Sequence, residues 1–121
     1  DLSLNLVKIL KAGNDCIDLS GGDYYIDKLK VSKCLDKGVS VGEKSKLTLV
    51  DAKVDSSNIG FSVKDLSILS ASKIDSNASI TCLELFQKKQ EFGGGNVEID
   101  ILKCPSGVQI DRNSFFVHTN Q

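Results

Sequence analysis

The stretch GVSVGEKSKL, residues 38–47, is restated one fixed step later as GFSVKDLSIL, residues 60–69. Extending the comparison in both directions gives five lines of one pattern: Cys16-Ile17-Asp18-Leu19, Gly38-Val39-Ser40-Val41, Gly60-Phe61-Ser62-Val63, Cys82-Leu83-Glu84-Leu85 and Gly107-Val108-Gln109-Ile110. The numbering of their first members advances by 22, 22, 22 and 25, and each line reads small, apolar, polar, apolar. Period-2 alternation places the second and fourth residues on one face of a strand and the third on the other. The apolar face is therefore the same in every line.

A second strand follows in each unit at a less regular offset: Ile26 to Val31, Leu47 to Val54, Leu66 to Ile74, and Val97 to Ile101. Upstream, Val7-Lys8-Ile9 precedes Leu29-Lys30-Val31 by the same period, as the tail of an earlier unit would. A period near 22 with two or three short strands is too short for a propeller blade and lacks the leucine-rich consensus. A coil that climbs one strand spacing per turn, about 4.8 Å, stacks like residues on like. The pattern therefore predicts an all-β fold, a parallel β-helix of about five turns. The small residue heading each line marks a tight corner that a bulky side chain would obstruct. An antiparallel sandwich also has short strands at regular spacing, but does not require the same pattern at one fixed period.

The length, 121 residues, suits a single domain over 1–121. The formal net charge is −1, from 15 basic and 16 acidic residues interspersed along the chain, so the sequence displays no footprint for a polyanion, and nucleic acid is not an expected partner. No apolar run approaches the roughly 20 residues of a membrane span, so no membrane insertion by this segment is expected. With no Met, not even at position 1, the chain reads as a processed or excised piece of a longer polypeptide, expected to be its terminal part. Only KDLSILSASKI, residues 64–74, has the spacing of an amphipathic helix.

Four cysteines in a short chain raise the question of two disulfides. In the coil, Cys16 and Cys82 share a column three turns apart, which implies roughly 14 Å at one strand spacing per turn. Bridged Cα atoms lie within about 7 Å. Cys34 and Cys104, in the first and fourth units, meet the same objection. The expectation is four small thiols in the core, with Cys16 to Cys34 as the one bridge left open.

Motifs that carry chemistry are sparse. SGGDYYIDKL (20–29) and FGGGNVEID (92–100) faintly resemble the calcium-binding nonapeptide coil but stand alone rather than in tandem, so no metal is expected. FGGGN leads into a strand and lacks the Lys-Ser/Thr pair of a phosphate loop. No cofactor is expected. Glycosidic chemistry needs two carboxylates about 5 to 9.5 Å apart. Glu43 and Asp65, each four residues past a strand apolar on adjacent turns, meet that spacing. Their neighbours Lys44 and Lys64 suggest the blander alternative of a self-neutralising corner. The outward column Asp18, Ser40, Ser62, Glu84, Gln109 has no Lys or Arg to serve as a lyase base. His118 sits in the tail FFVHTNQ, read as a fraying terminus or an interface. The break in rhythm is LFQKKQEFGGGN (85–96), with three additional residues. Insertions in solenoids bulge from one flank, often the binding flank, which makes Lys88, Lys89, Glu91 and Phe92 the candidate ligand-binding residues. The alternative is a surface loop with Phe92 folded over the core. Phe115 and Phe116 are expected to close the last turn.

The runs AGNDCIDLSGG (12–22), CLDKGVSVGEKS (34–45), SNIGFSVKD (57–65) and TCLELFQKKQEFGGG (81–95) resemble the right-handed parallel β-helix repeats of the pectate-lyase-like superfold. In particular they are similar to repeat segments of large bacterial envelope proteins, some carrying CotH-type kinase-like regions. The resemblance implies right-handedness, a stacked apolar interior and a frequent association with polysaccharide. It carries over no catalytic residues, and fold-level likeness alone does not fix a function. The expected role is a noncatalytic scaffold or carbohydrate-associated binding module of an envelope or secreted protein. A polysaccharide-active lyase or hydrolase fragment and a self-assembling filament are the alternatives. The unpaired edges at both ends predict end-to-end association or pairing with further chain.

Overall fold

The computed structural model describes residues 1–88 and 93–120. It is a parallel β-solenoid of about five turns, with no helix among the described residues. The strands are β1 (Leu2–Ile9), β2 (Ile17–Lys64), β3 (Ile68–Phe86), β4 (Asn96–Lys103), β5 (Val108–Ile110) and β6 (Phe115–Asn120). All inter-strand pairings between them are parallel. β2 runs for 48 residues because its corners are tight enough for strand geometry to continue around them.

The register is the sequence period made physical. Val7 lies on Leu29 and Ile9 on Val31; Leu47 lies on Leu69, and Phe61 on Leu83, each pair one period apart. Above Leu69 stands Val97, a step of 28 in the numbering, and above Leu83 stands Val108, a step of 25. The net insertion of three thus consists of six residues added at the corner before β4 and three removed at the corner after it. Residues 64–74, with helical spacing in sequence, form a turn at Asp65-Leu66 followed by the start of β3.

Columns of aliphatic side chains fill the interior. Leu47, Leu69 and Val97 stack, as do Leu49, Ala71 and Ile99, and nearly all are inaccessible to solvent. Each fully buried Leu, Val or Phe contributes about 1.5–3 kcal/mol relative to exposure, and the columns supply that on every turn. The line-heading residues form the expected corner column: Cys16 N–H donates to the Lys37 carbonyl (3.0 Å) and Cys82 N–H to that of Gly107 (3.1 Å). A Cβ on Gly38 would lie 2.7 Å from the Gly60 carbonyl oxygen and against a Val54 methyl. Neither Gly38 nor Gly60 has a positive φ, so the requirement is for space rather than for a left-handed backbone.

All four cysteines are bridged, Cys16 to Cys34 and Cys82 to Cys104, which corrects the expectation of free thiols. Like columns are indeed too far apart, but the bridges join different columns across one corner between adjacent turns. Cys34 pairs with Ala12 and so reaches Cys16 across the bend, with Cα atoms 5.4 Å apart. Cys104 follows Lys103, the partner of Asp75, and therefore stands over Ser76; Ser76 Oγ in turn donates to the Cys82 carbonyl across the same corner (3.0 Å). The Cys82 and Cys104 Cα atoms are 5.6 Å apart. One clip closes each end of the coil.

The tail is a strand rather than a frayed end: Phe116 pairs with Val97 and His118 with Ile99. Phe116 packs on the core, whereas Phe115 is exposed.

Candidate functional site

Two corners carry the polar side chains. The first joins the strand runs ending near Ser20, Gly42, Lys64 and Phe86 to those that follow. Gly21-Gly22, Glu43-Lys44 and Asp65-Leu66 all have positive φ, between 54° and 88°, so the same left-handed bend recurs on successive turns. Ser67 N–H donates to the Lys64 carbonyl (3.2 Å), closing the bend. Only the first copy uses glycine, and a side chain in this region costs about 1–2 kcal/mol per residue.

Glu43 and Asp65 accordingly sit at equivalent points one turn apart, and Lys44 N–H donates to the Asp65 carbonyl (3.0 Å). Their environments differ. Glu43 is half-buried and its Oε2 accepts from Ser20 Oγ of the turn below (3.0 Å). Asp65 is buried, and its Oδ1 accepts from Lys88 N–H of the turn above (2.8 Å). Asp111 does the same for the interrupted ladder higher up, accepting from Gln87 N–H (2.8 Å) and from Ser114 Oγ and Asn113 N–H. Desolvation pushes the Asp111 carboxyl upward, but these hydrogen bonds and the Arg112 charge outweigh it and hold it below its ordinary value. Of the insertion residues, Lys88 is exposed with its backbone N–H committed to Asp65. Lys89, Glu91 and Phe92 lie outside the described residues.

The opposite corner, where the disulfides lie, carries a cleft of about 610 Å³ that crosses four successive turns, from Lys11 through Lys33 and Asp55 to Asn77. Its upper half is polar: Ser79 Oγ donates to the Asn58 side chain (3.2 Å) and Asn77 Nδ2 to Asp55 Oδ1 (3.5 Å). Ser57 lines it with a buried hydroxyl that has no partner among the described residues. A second cleft of about 210 Å³ adjoins it, with Asp55 lining both.

Sequence reasoning missed what these clefts gather. Lys8 pairs in register with Lys30, and Lys53 lines the same small cleft. Lys11 and Lys33 line the larger one. All five are exposed, and among the described residues none makes an ion pair within 4 Å, although Lys53 lies in register with Asp75. Higher on the same face the signs alternate, Lys53 under Asp75 under Lys103, and Asp51 under Lys73. Like charges held at one strand spacing repel by about 0.9 kcal/mol per pair even at the dielectric of water. The only signal in the sequence is the period itself, since Lys8 to Lys30 and Lys11 to Lys33 are each one period.

Lys37 by contrast makes ion pairs, with its sequence neighbour Asp36 at 3.1 Å and with Asp15 of the adjacent turn at 4.0 Å. Burial lowers the affinity of Lys37 for its proton, yet the hydrogen bond to Asp36 and the charges of Asp15, Asp36 and Glu84 leave it raised. Among the described residues no cluster of three His, Cys, Asp or Glu is placed to hold a metal ion, and no helix is long and apolar enough to cross a membrane.

In comparisons with known proteins, no family model matches the chain, and no curated protein or solved structure matches it.

Proposed function

We propose that this chain is a noncatalytic scaffold that works in an oxidising, extracytoplasmic setting, a right-handed β-helix of the pectate-lyase-like kind found in bacterial envelope proteins, with a carbohydrate-associated corner. The observation that supports this reading is the pair of clips, Cys16–Cys34 and Cys82–Cys104, each tying adjacent turns at one end of the coil. Such bridges form and persist in oxidising compartments and are rare where glutathione keeps thiols reduced. The test is a thiol count on protein purified without reductant, joined to an assay on a panel of neutral and anionic polysaccharides. Blocked thiols, with binding but no new reducing ends or unsaturated products, are expected. Four titratable thiols, or turnover lost in Glu43→Gln, would sink the scaffold reading.

The ends of the coil favour end-to-end association as a second element of that role. Leu2 and Leu4 lie on the columns of Tyr24 and Ile26 and are 50% and 36% exposed, with no further turn stacked on them among the described residues. β1 and β6 are the outermost strands of the stack, each paired on one edge among the described residues. Unpaired edges are templates for a further strand. Sizing across a wide concentration range checks this, with a monodisperse monomer throughout as the contrary result.

A further inference from the structure

We propose that Asn77 is a covalent modification site, the acceptor of an N-linked glycan whose first sugar lies in the larger cleft. The inference rests on the extracytoplasmic reading, because asparagine receives sugar from a lipid-linked donor in the compartments where disulfides form. Residues 77–79 read Asn-Ala-Ser, the acceptor pattern of asparagine, any residue but proline, then serine or threonine. Asn5, Asn14, Asn58, Asn96 and Asn113 are followed two places later by Val, Cys, Gly, Glu and Phe, so none of them matches. Asp75 supplies the acid two places ahead of the asparagine that the bacterial form of the pattern adds. Short patterns recur by chance, so position in the fold must decide.

Strand alternation sets the whole pattern on one side. Ile74, Ser76 and Ala78 point into the coil and are 1%, 0% and 7% exposed, whereas Asp75 is half-buried and Asn77 and Ser79 are exposed. The acceptor amide and the hydroxyl that a transferase grips therefore share the outer face. The repeat does not dictate this, since Asp55 stands beneath Asn77 and Ser57 beneath Ala78. The ladder is also irregular there, with register shifts on either side of Ser57 and a φ of 58° at Ser56. Asn77 Nδ2 donates one hydrogen to Asp55 Oδ1 (3.5 Å) and has a second to give up. In the transfer, Nδ2 attacks the anomeric carbon of a sugar carried on a polyprenyl diphosphate. The N–C bond forms, the C–O bond breaks with its electron pair going to the diphosphate, and one amide proton passes to a base of the transferase. The remaining N–H stays available to Asp55.

The cleft of about 610 Å³ gives the sugar a place to lie. Asn77, Ala78 and Ser79 line it together with Ala12, Gly13 and Leu35. Leu35 is 70% exposed, and the apolar C–H face of a pyranose ring is suited to cover it. Ser57 lines the same space with a buried hydroxyl that has no partner among the described residues, and a sugar amide or hydroxyl would satisfy it. The volume lies within the range of small-molecule sites, which suits the first one or two sugars.

The test secretes the full chain from a eukaryotic cell line and from a bacterium supplied with an oligosaccharyltransferase and its lipid-linked sugar. Each product is read by intact mass, peptide mapping and a thiol count. The expected result is one glycan per chain, at Asn77, absent in Asn77→Gln and Ser79→Ala and retained in Ser79→Thr. Asp75→Asn should keep the glycan in the eukaryotic host and lose it in the bacterial one, and retention in both would overturn the part given to Asp75. Trimmed to its first sugar, the glycoprotein should melt a few degrees above Asn77→Gln from the same host, and Leu35→Ser should remove that margin. Equal melting of the two would overturn the placement in the cleft. Unmodified parent with blocked thiols in both hosts would overturn the acceptor site and leave the scaffold reading standing. A glycan on Asn77 in protein with four free thiols would do the reverse.

Discussion

Gly60 faces Ser76 across a corner of the coil so closely that a Cβ on the glycine would collide with the Ser76 hydroxyl and with the Cys82 carbonyl oxygen. Those two groups also share a hydrogen bond, so neither is free to move aside. Gly60→Ala should destabilise the fold by about 1–3 kcal/mol, the range for overpacking a filled interior. Gly13 has nothing within 4 Å of the same virtual atom, and Gly13→Ala should be close to neutral. Urea unfolding of the two variants side by side checks the contrast; equal stabilities would mean that the corner is looser than its geometry.

The clips stabilise by restricting the unfolded chain. They close loops with sequence separations of 18 and 22 residues, for which the loss of each is worth about 2–4 kcal/mol. Replacing Cys82 and Cys104 together by alanine should lower the unfolding free energy by that amount, and reductant should then affect the variant less than the parent. The intact mass of unreduced protein should be four hydrogen atoms below that of the reduced chain.

Glu43-Lys44 makes in an ordinary sequence the bend that Gly21-Gly22 makes with glycines. Lys44, with φ 60°, is exposed. Lys44→Gly should therefore raise stability by up to about 1 kcal/mol, relief of the left-handed backbone exceeding the extra entropy of the unfolded chain. Gly22→Ala, at φ 88°, should lower it by about 1 kcal/mol or more. Thermal melts of both variants should move in opposite directions.

The Ser62 hydroxyl is fully buried and has no hydrogen-bond partner among the described residues. Ser62→Ala removes that unsatisfied group with little change of volume and should be neutral or stabilising by about 1 kcal/mol. A clear loss of stability in denaturant titration would reveal a partner for the hydroxyl.

Asp111 contributes to stability through a carboxyl held below its ordinary value. A depressed carboxyl stabilises fully above its unfolded pKa of about 3.9 and loses that contribution as pH falls through the lower folded value. The parent should lose stability on acidification below about pH 4, and Asp111→Asn should already be weaker at neutral pH with a shallower acid decline. Parallel acid-titration curves for the two proteins would exclude the carboxylate as the source.

Much of the coil is legible in the sequence because its information is periodic and local. The recurring apolar pair, Val39 and Val41, Phe61 and Val63, Leu83 and Leu85, has one face in every line, and the register follows from stacking that face. Of the two bridges, Cys16–Cys34 is the one the sequence leaves open, while Cys82–Cys104 is not legible, because the period compares residues within a column whereas the bridges run between columns that only the bend brings together. The insertion is legible as a net count of three, while its division into six residues at one corner and three fewer at the other emerges only in the pairings of β3 with β4 and β5.

By itself, then, the sequence determined that the chain winds, how long each turn is and which apolar side chains stack, but not that Ser40 and Ser62 of the outward column are buried, because alternation and repeat length are properties of neighbours along a strand. Tertiary structure alone decided what the corners hold: two disulfides, a buried Asp65, and five lysines drawn from positions 8 to 53 onto one surface. The reason is that a solenoid converts separations of one turn into distances of one strand spacing, so charges that look dispersed along the chain stand next to one another in space.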